Sequence, residues 1–582
     1  AALAAVVLLA PGMAAAQDAG PDSGMLAESR ASASQSAAAR AAERSTAPTL
    51  SERATAGAAD EGVRVDPECD THAGGPASAQ AGESAGSGKS DARADRARCR
   101  KLRDADIATA PIGEVHVASR HTATIGGRAI AYTATAGTLT IRDDEGKPTA
   151  SMFYVAYTTG EPHRPVTFLY NGGPGSSTLW LHMGSLGPVR VLTDSPQPTH
   201  NAPYDVVGNP DSLLDKSDLV FLDAVGAGFS RPLGDTKLAA FWGTDQDIDA
   251  FARGIERWLT INGRWNAPKF LFGESYGTTR SAGLSYRLQQ DGVQLNGVVL
   301  LSSILNYGRR QPGFDQEMVN YLPSYAAAAA YHNRLANPPT DLQTFLNEVR
   351  AFARGPYALA LNQGQDLSDA DRRAIAARMS AYIGLPADYI LASDLRIPPG
   401  RFRKELLRDR RLTLGRYDDR FTGEDLDAAG ESPEYDPSDT GITGAFVAAF
   451  HDYLTRQLGY ETNLAYRPTY YASGVRWDFD HKADGLGGGN GSNQADVALD
   501  LSQAMRENPH LLLYSLNGVY DLATPFFGTE YDLGHMQLDP AVRGNVRFGY
   551  YPSGHMVYLN PAALKQMKAD LARFYDEAAP SR

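Results

Sequence analysis

Lys269-Phe270-Leu271-Phe272-Gly273-Glu274-Ser275-Tyr276-Gly277 is a short apolar run that ends in Gly-x-Ser-x-Gly. The run is uninterrupted and bounded by turn residues, which is how a strand covered on both faces reads. The stretch after it, 276–288, has the spacing of a helix. A serine between glycines at a strand-to-helix turn is pushed out above the sheet. The backbone N–H of the next residue is then left facing a reacting carbonyl. Ser275 is therefore the candidate nucleophile. The position of the motif carries more than its letters, because Gly-x-Ser-x-Gly alone arises readily in a chain with 57 glycines.

Working outward, the runs 166–170 and 219–223 are of the same fully buried kind, and 295–301 is the next strand. The stretch 245–259 reads as a helix, with apolar residues at Ile248, Phe251, Ile255 and Trp258. Upstream, the β-rich runs 115–117, 122–125, 129–132, 138–141 and 151–157 are separated by glycine or charged turns, an antiparallel start to a sheet. The strand pattern resumes at 510–516 and 545–550 and closes with a helix over 561–575. Strands alternating with helices predict an α/β sheet. Between the two halves, 307–470 is dominated by helix-forming stretches (318–336, 342–353, 368–382, 444–457) and reads as a helical insertion above the sheet.

A serine hydroxyl needs a base to take its proton, and the base needs an orienting acid. On a sheet of this kind the order is Ser, then Asp or Glu, then His, each on a loop after a strand. Asp521 lies just past the strand ending near Gly518, and His555 just past the strand at 546–551. Asp532, His535 and Asp539 sit farther from a strand end and read as surface loop charges. His116, His121 and His182 precede the nucleophile and break the order. Asn171-Gly172-Gly173-Pro174-Gly175-Ser176-Ser177 follows the strand 166–170 directly. Consecutive glycines there can supply a second backbone N–H to an oxyanion hole. The run Gly485-Leu486-Gly487-Gly488-Gly489-Asn490-Gly491 follows no strand and opens no helix, so it reads as a loop rather than a phosphate cradle. No HExxH, CxxC or carboxylate–His cluster calls for a metal.

Composition bounds the rest. The 582 residues carry a net charge of −13, with 43% hydrophobic and 21% charged residues, the balance of a soluble globular enzyme. Such acidity argues against a nucleic-acid partner, since nothing would neutralise phosphates. Residues 1–16 are small and apolar and end in an Ala-x-Ala-like pattern, read as part of a secretory signal peptide that the sequence enters partway. Export to the periplasm or medium is expected, without stable membrane insertion. Residues 17–107 hold few large apolar side chains and are expected to be disordered. Cys69 and Cys99 lie in that segment and are free to pair in an oxidising compartment. The expected organisation is thus 1–16, 17–107, a first core part 108–306, the insertion or cap 307–470, and a second core part 471–582. Nothing sets the oligomeric state.

Asn171 to Ser177, Asp223-Ala224-Val225-Gly226-Ala227-Gly228-Phe229-Ser230, Gly273 to Gly277, Asp521 and Gly554-His555-Met556-Val557 together resemble the serine carboxypeptidase family, the carboxypeptidase Y-like enzymes. The blocks 322–326 and 415–422 resemble its bacterial branch. The resemblance implies an α/β-hydrolase fold with a mainly helical insertion and a cofactor-free hydrolase. Its substrates would be peptides with a free C-terminus, and the last residue would leave through an acyl-enzyme on Ser275. It implies His555 as base and then acid, Asp521 as its orienter, and the N–H groups of Gly173 and Tyr276 around the oxyanion. It implies recognition of the substrate's carboxylate by Asn171, Glu274 and the backbone of Gly172. An esterase or acyltransferase on the same fold is the alternative.

A carboxylate hydrogen-bonds another carboxylate only when one of them holds a proton, so Glu274 is expected to act protonated. The family pattern has a second Glu where this chain has Ser185, which removes a like-charge influence on Glu274 and predicts an altered pH dependence. The family's Cys is also replaced, by Ser176, so its usual disulfide there cannot form.

Overall fold

The structure, a computed structural model, describes residues 110, 112–310, 313–470, 476–482 and 494–580. The apolar start 1–16, the segment 17–107 with both cysteines, and the run 485–491 lie outside the described residues. The chain divides into the units Ala1–Gln80 and Ala81–Arg582, and every described residue belongs to the second.

The sheet begins as an antiparallel meander of β1 (His116–Ile125), β2 (Arg128–Arg142) and β3 (Pro148–Thr158). The separate runs expected at 129–132 and 138–141 are one 15-residue strand, β2. Next come β4 (Val166–Tyr170), β5 (Asp218–Leu222), helix α1 (Thr244–Ile261), β6 (Lys269–Glu274), helix α2 (Tyr276–Gln290) and β7 (Gly297–Leu301). Helices α3 (Gln316–Tyr331), α4 (Leu342–Phe352), α5 (Asp369–Ile383) and α6 (Pro437–Asp452) lie between β7 and the sheet's next strand. The chain then forms α7 (Ala498–Glu507), β8 (Leu512–Gly518), α8 (Phe526–Gly534), β9 (Val546–Tyr551) and α9 (Pro561–Ala578). In space the main strands run β1-β2-β3-β5-β4-β6-β7-β8-β9, and from β5 to β9 each neighbouring pair is parallel. That topology is the α/β-hydrolase fold.

The central strands are apolar throughout because both faces are covered. Phe168, Val220, Leu271, Val298, Leu300 and Leu513 enter one core with α1, α2 and α7. Leu169, Phe221, Phe272, Val299, Leu301 and Leu516 enter the other with α6 and α9. Successive side chains alternate between the two cores, the period of two that a strand imposes. Each such Leu, Phe or Val contributes about 1.5–3 kcal/mol by leaving water. Helices α3 to α5 build a third cluster, shared with Val519, Tyr520, Phe526 and Phe527 beyond β8. Helix α6 differs from those three, because its Phe446, Phe450 and the adjoining Tyr453 pack in a core of the sheet itself.

The parallel strands end nearly level. Tyr170 pairs with Gly273, Glu274 with Leu301, Leu301 with Leu516, and Gly518 with Tyr551. The loops that leave these ends therefore open on one edge, where α/β sheets hold their ligands.

Candidate active site

Ser275 ends β6 and caps α2 with φ 61° and ψ −129°, a conformation that costs a non-glycine residue about 1–3 kcal/mol. The surrounding backbone holds it there. Ser275 N–H donates to Leu301 O at 3.0 Å, and its carbonyl accepts from Thr278 N–H at 2.9 Å and Thr278 Oγ1 at 2.6 Å. The turn is so tight that a Cβ on Gly273 would fall 2.1 Å from Gly277 O, so no larger residue fits. The glycine loop after β4 touches the same turn, since a Cβ on Gly172 would lie 2.3 Å from Tyr276 N. The backbone of the glycine loop is thus packed directly against the elbow.

A buried ion pair fixes that contact from below. Arg280 on α2 donates to Asp247 on α1 at 2.7 and 3.1 Å and to Asn171 O at 2.8 Å, with its Cζ 4.0 Å from the Phe251 ring centre. Asn171 Oδ1 accepts from Leu181 N–H at 2.9 Å, which aims the side chain. Both members of the pair are fully enclosed, so removing one leaves an uncompensated charge, a loss of about 3–5 kcal/mol.

Asp521 and His555 meet as their strand ends require. His555 Nδ1 lies 2.7 Å from Asp521 Oδ2, and both residues are buried. Asp521 Oδ1 accepts from the N–H groups of Ala523 (2.7 Å) and Thr524 (2.9 Å). Thr524 Oγ1 sits 2.7 Å from Asp521 Oδ2, 3.0 Å from His555 Nδ1 and 2.9 Å from Ser302 O, tying acid, imidazole and β7 together. His555 N–H donates to Tyr417 O at 2.6 Å, and the Tyr417 ring centre is 5.1 Å from the imidazole.

Ser275, His555, Glu274, Asn171, Gly172 and Gly173 line one narrow cleft of ≈60 Å³, together with Ser176, Trp180, Tyr417, Asp439, Thr469 and Met556. Tyr276 is not among the lining residues; its ring is buried 5.1 Å from Trp477, while its N–H abuts Gly172. Burial lifts Glu274 to about 7, against the charge of His555 and hydrogen bonds from Tyr558 and Asn171. Burial pulls the His555 imidazole down, but the charge and hydrogen bond of Asp521, with the charge of Glu274, outweigh it and leave its pKa raised.

Ser185 Oγ donates to Leu181 O within its own helix. Besides Asn171, Glu274 is met by Tyr558, whose hydroxyl donates to the two carboxylate oxygens at 2.9 and 3.2 Å. Tyr558 was not anticipated from the sequence, although it lies three residues past His555; nor were Thr524, Tyr417, Asp439 or the Arg280–Asp247 pair as parts of the site. Thr524 carried a local signal, since an Asp accepting from the two following turns' N–H groups is an Asx motif. Asp532 corrects an expectation: it is buried and paired with Arg309, while Asp539 and His535 are exposed. His182 is a core residue, 2.5 Å from Tyr157 Oη and stacked on Phe221, and burial lowers its pKa to about 3. Among the described residues no helix is long and apolar enough to cross a membrane.

The chain is similar to known proteins over parts of its length. Residues 128–310 match the sequence model of the family described as serine carboxypeptidase. Serine-type carboxypeptidase F of Aspergillus niger is 31% identical over 135 residues, which are 23% of this chain. The match spans 23% of that curated relative's length. Among solved structures, the prohormone-processing carboxypeptidase Kex1 of Saccharomyces cerevisiae aligns over 76% of this chain and 91% of its own, at 15% identity and a TM-score of 0.43. Proline iminopeptidase of Mycobacterium smegmatis aligns over 79% and 98%, at 14% identity and a TM-score of 0.28. The stretch that matches the serine carboxypeptidase model, residues 128–310, holds the glycine loop, the elbow and the Arg280–Asp247 pair.

Proposed function

We propose that the chain is a serine carboxypeptidase that releases C-terminal amino acids from peptides. The observation that carries this reading is the presence of Asn171 and Glu274 in one narrow cleft with Ser275 and His555. A terminal carboxylate bound at Asn171, the Gly172 N–H and Glu274 sets the last peptide bond beside the serine. Ser275 Oγ attacks the carbonyl carbon as His555 Nε2 takes its proton, and Asp521 keeps Nδ1 protonated and the ring aligned. The N–H groups of Gly173 and Tyr276 receive the oxyanion. His555 then gives its proton to the leaving amine, and water, deprotonated by His555, cleaves the acyl-enzyme.

The pH dependence follows from two groups working in opposite directions. Glu274 must be protonated to donate to the substrate's carboxylate, so recognition of the free acid is present below about 7 and fades above it. His555 must be neutral to accept the serine proton, so attack is favoured as pH rises through its raised pKa. The two groups are close enough to titrate as a coupled pair. The helices of 307–470 are proposed to shape access to the cleft, and the apolar start at 1–16 supports export, which cell fractionation of the full-length protein checks.

The deciding experiment is mass spectrometry of peptides with free and amidated C-termini, with Ser275→Ala as control. Stepwise loss of single C-terminal residues, abolished in the variant, is the expected result. Internal cleavage, or activity confined to esters, overturns it.

A further inference from the structure

We propose that His481 is a positioning residue for the oxyanion side of the site, fastening the segment 476–482 against Tyr276. The inference rests on the part of the proposed function that makes Ser275 the nucleophile and the Tyr276 N–H an oxyanion donor. Along this segment the side chains alternate as in an extended chain. Arg476, Asp478, Asp480 and Lys482 are exposed, while Trp477 and Phe479 are half-buried and His481 is buried. The inward residues reach the elbow. Trp477 packs edge-on against Tyr276 at 5.1 Å and against Trp242 at 5.3 Å. Phe479 lies 4.8 Å from Tyr307, whose ring is 6.3 Å from that of Tyr276. The Tyr276 side chain is fully buried, and its main chain abuts the glycine loop at Gly172. What holds the segment therefore bears on where the Tyr276 N–H points.

The backbone ties the segment at Asp478, whose carbonyl accepts from Thr244 N–H at 2.8 Å and whose N–H donates to Trp242 O at 3.1 Å. His481 ties it again three residues on. Its Nδ1 lies 2.6 Å from Asp245 Oδ1 in the first turn of α1, and its Nε2 lies 2.6 Å from Asp500 Oδ2 in the first turn of α7. Asp245 Oδ2 also accepts from Lys482 N–H at 3.3 Å. An imidazole donates through both nitrogens only when charged. Burial opposes that charge, but the hydrogen bonds and charges of Asp245 and Asp500 outweigh it and lift His481 to about 10. Each acid by itself would serve its own helix dipole; the imidazolium between them joins α1, α7 and the segment. Helix α1 also carries Asp247, the partner of Arg280, so the glycine loop and the Tyr276 ring are braced from one helix. Backbone donors stabilise an oxyanion only as far as they are held in place beforehand.

The test is steady-state kinetics on an N-blocked dipeptide and on the matching N-blocked amino-acid p-nitrophenyl ester. Active serines are counted by complete labelling with a fluorophosphonate, so that unfolded protein is not scored. His481→Gln has no cation to share between the acids. It should lower kcat per labelled serine on the dipeptide about tenfold with KM unchanged, the mark of a weakened transition-state contact, and kcat/KM on the ester alike. Asp500→Asn keeps an oxygen to accept from Nε2–H and should lose less than His481→Gln does. Trp477→Ala should match the loss in His481→Gln, and the two together should cost no more than either alone, because both act through one contact. Unchanged kcat in His481→Gln or in Trp477→Ala, a loss confined to KM, or additive losses in the double variant overturns the inference while C-terminal trimming stands. Hydrolysis of the ester alone by the wild-type protein overturns the carboxypeptidase reading, and the ester series then decides the inference. Hydrolysis of neither substrate overturns both.

Discussion

The two walls of the cleft come from different parts of the chain and are built differently. One wall is the sheet edge, with Asn171, Gly172, Glu274, Ser275 and His555 on loops that leave level strand ends. Its neighbours are backbone hydrogen bonds, close glycine contacts and a buried ion pair. The other wall is Tyr417 and Asp439, from the long segment between β7 and β8 and outside the stretch that matches the family. Its groups are held by loops and by the first turn of one helix. The first wall is over-determined and suits bond-breaking, where small displacements are costly. The second is built from side chains of a loop and a helix start, Tyr417 against His555 and Arg416 and Asp439 beside Thr443.

The comparison breaks if changes on the two walls have the same kinetic signature. The largest effect is expected from Asp521→Asn, which leaves the fold intact but lets His555 adopt the wrong tautomer; kcat should fall about 10⁴-fold for every substrate alike. Arg280→Ala tests whether the sheet-edge wall depends on its foundation. It should cost about 3–5 kcal/mol in urea unfolding and lower kcat as Asn171 and the glycine loop lose their anchor. Tyr558→Phe should have the smallest effect and the most specific one. The phenol hydrogen-bonds the ionised carboxylate and so holds its pKa down; without it, Glu274 should titrate higher, by about one unit at most. The free-acid preference over the amide, measured across pH, should then extend to higher pH. A profile that moves to lower pH would show that Tyr558 does not serve Glu274 in this way.

How far the sequence could be read follows the same division. The sheet, the elbow and the Ser-Asp-His order are local patterns: apolar runs, a glycine-bounded serine, polar residues just past strands. Groups that meet only through the fold left no such trace. Tyr558 reaches Glu274 across 284 positions, and the side chains of Arg280 and Asp247 are joined across 33. Asp532 was misread because a charge on a connecting loop looks exposed until a distant Arg309 is known to cover it. The start of α6 was expected at 444 but lies at Pro437, although Asp436 caps it through Ser438 N–H at 3.0 Å and Pro437 opens it. Asp followed by Pro is a strong helix start; the poor apolar periodicity of 437–443 concealed it.

The level strand ends carry a consequence for the timing of synthesis. The serine, its proposed acid and its proposed base sit at positions 275, 521 and 555, on strands that join the sheet in that order. A chain grows from its N-terminus, and the elbow can fold on β4, β6 and β7 long before β8 and β9 have been made. Until they dock, Ser275 has neither base nor acid and remains an ordinary alcohol. A half-made molecule, beside its own unfolded segments and those of its neighbours, would therefore carry the proposed nucleophile without the power to use it.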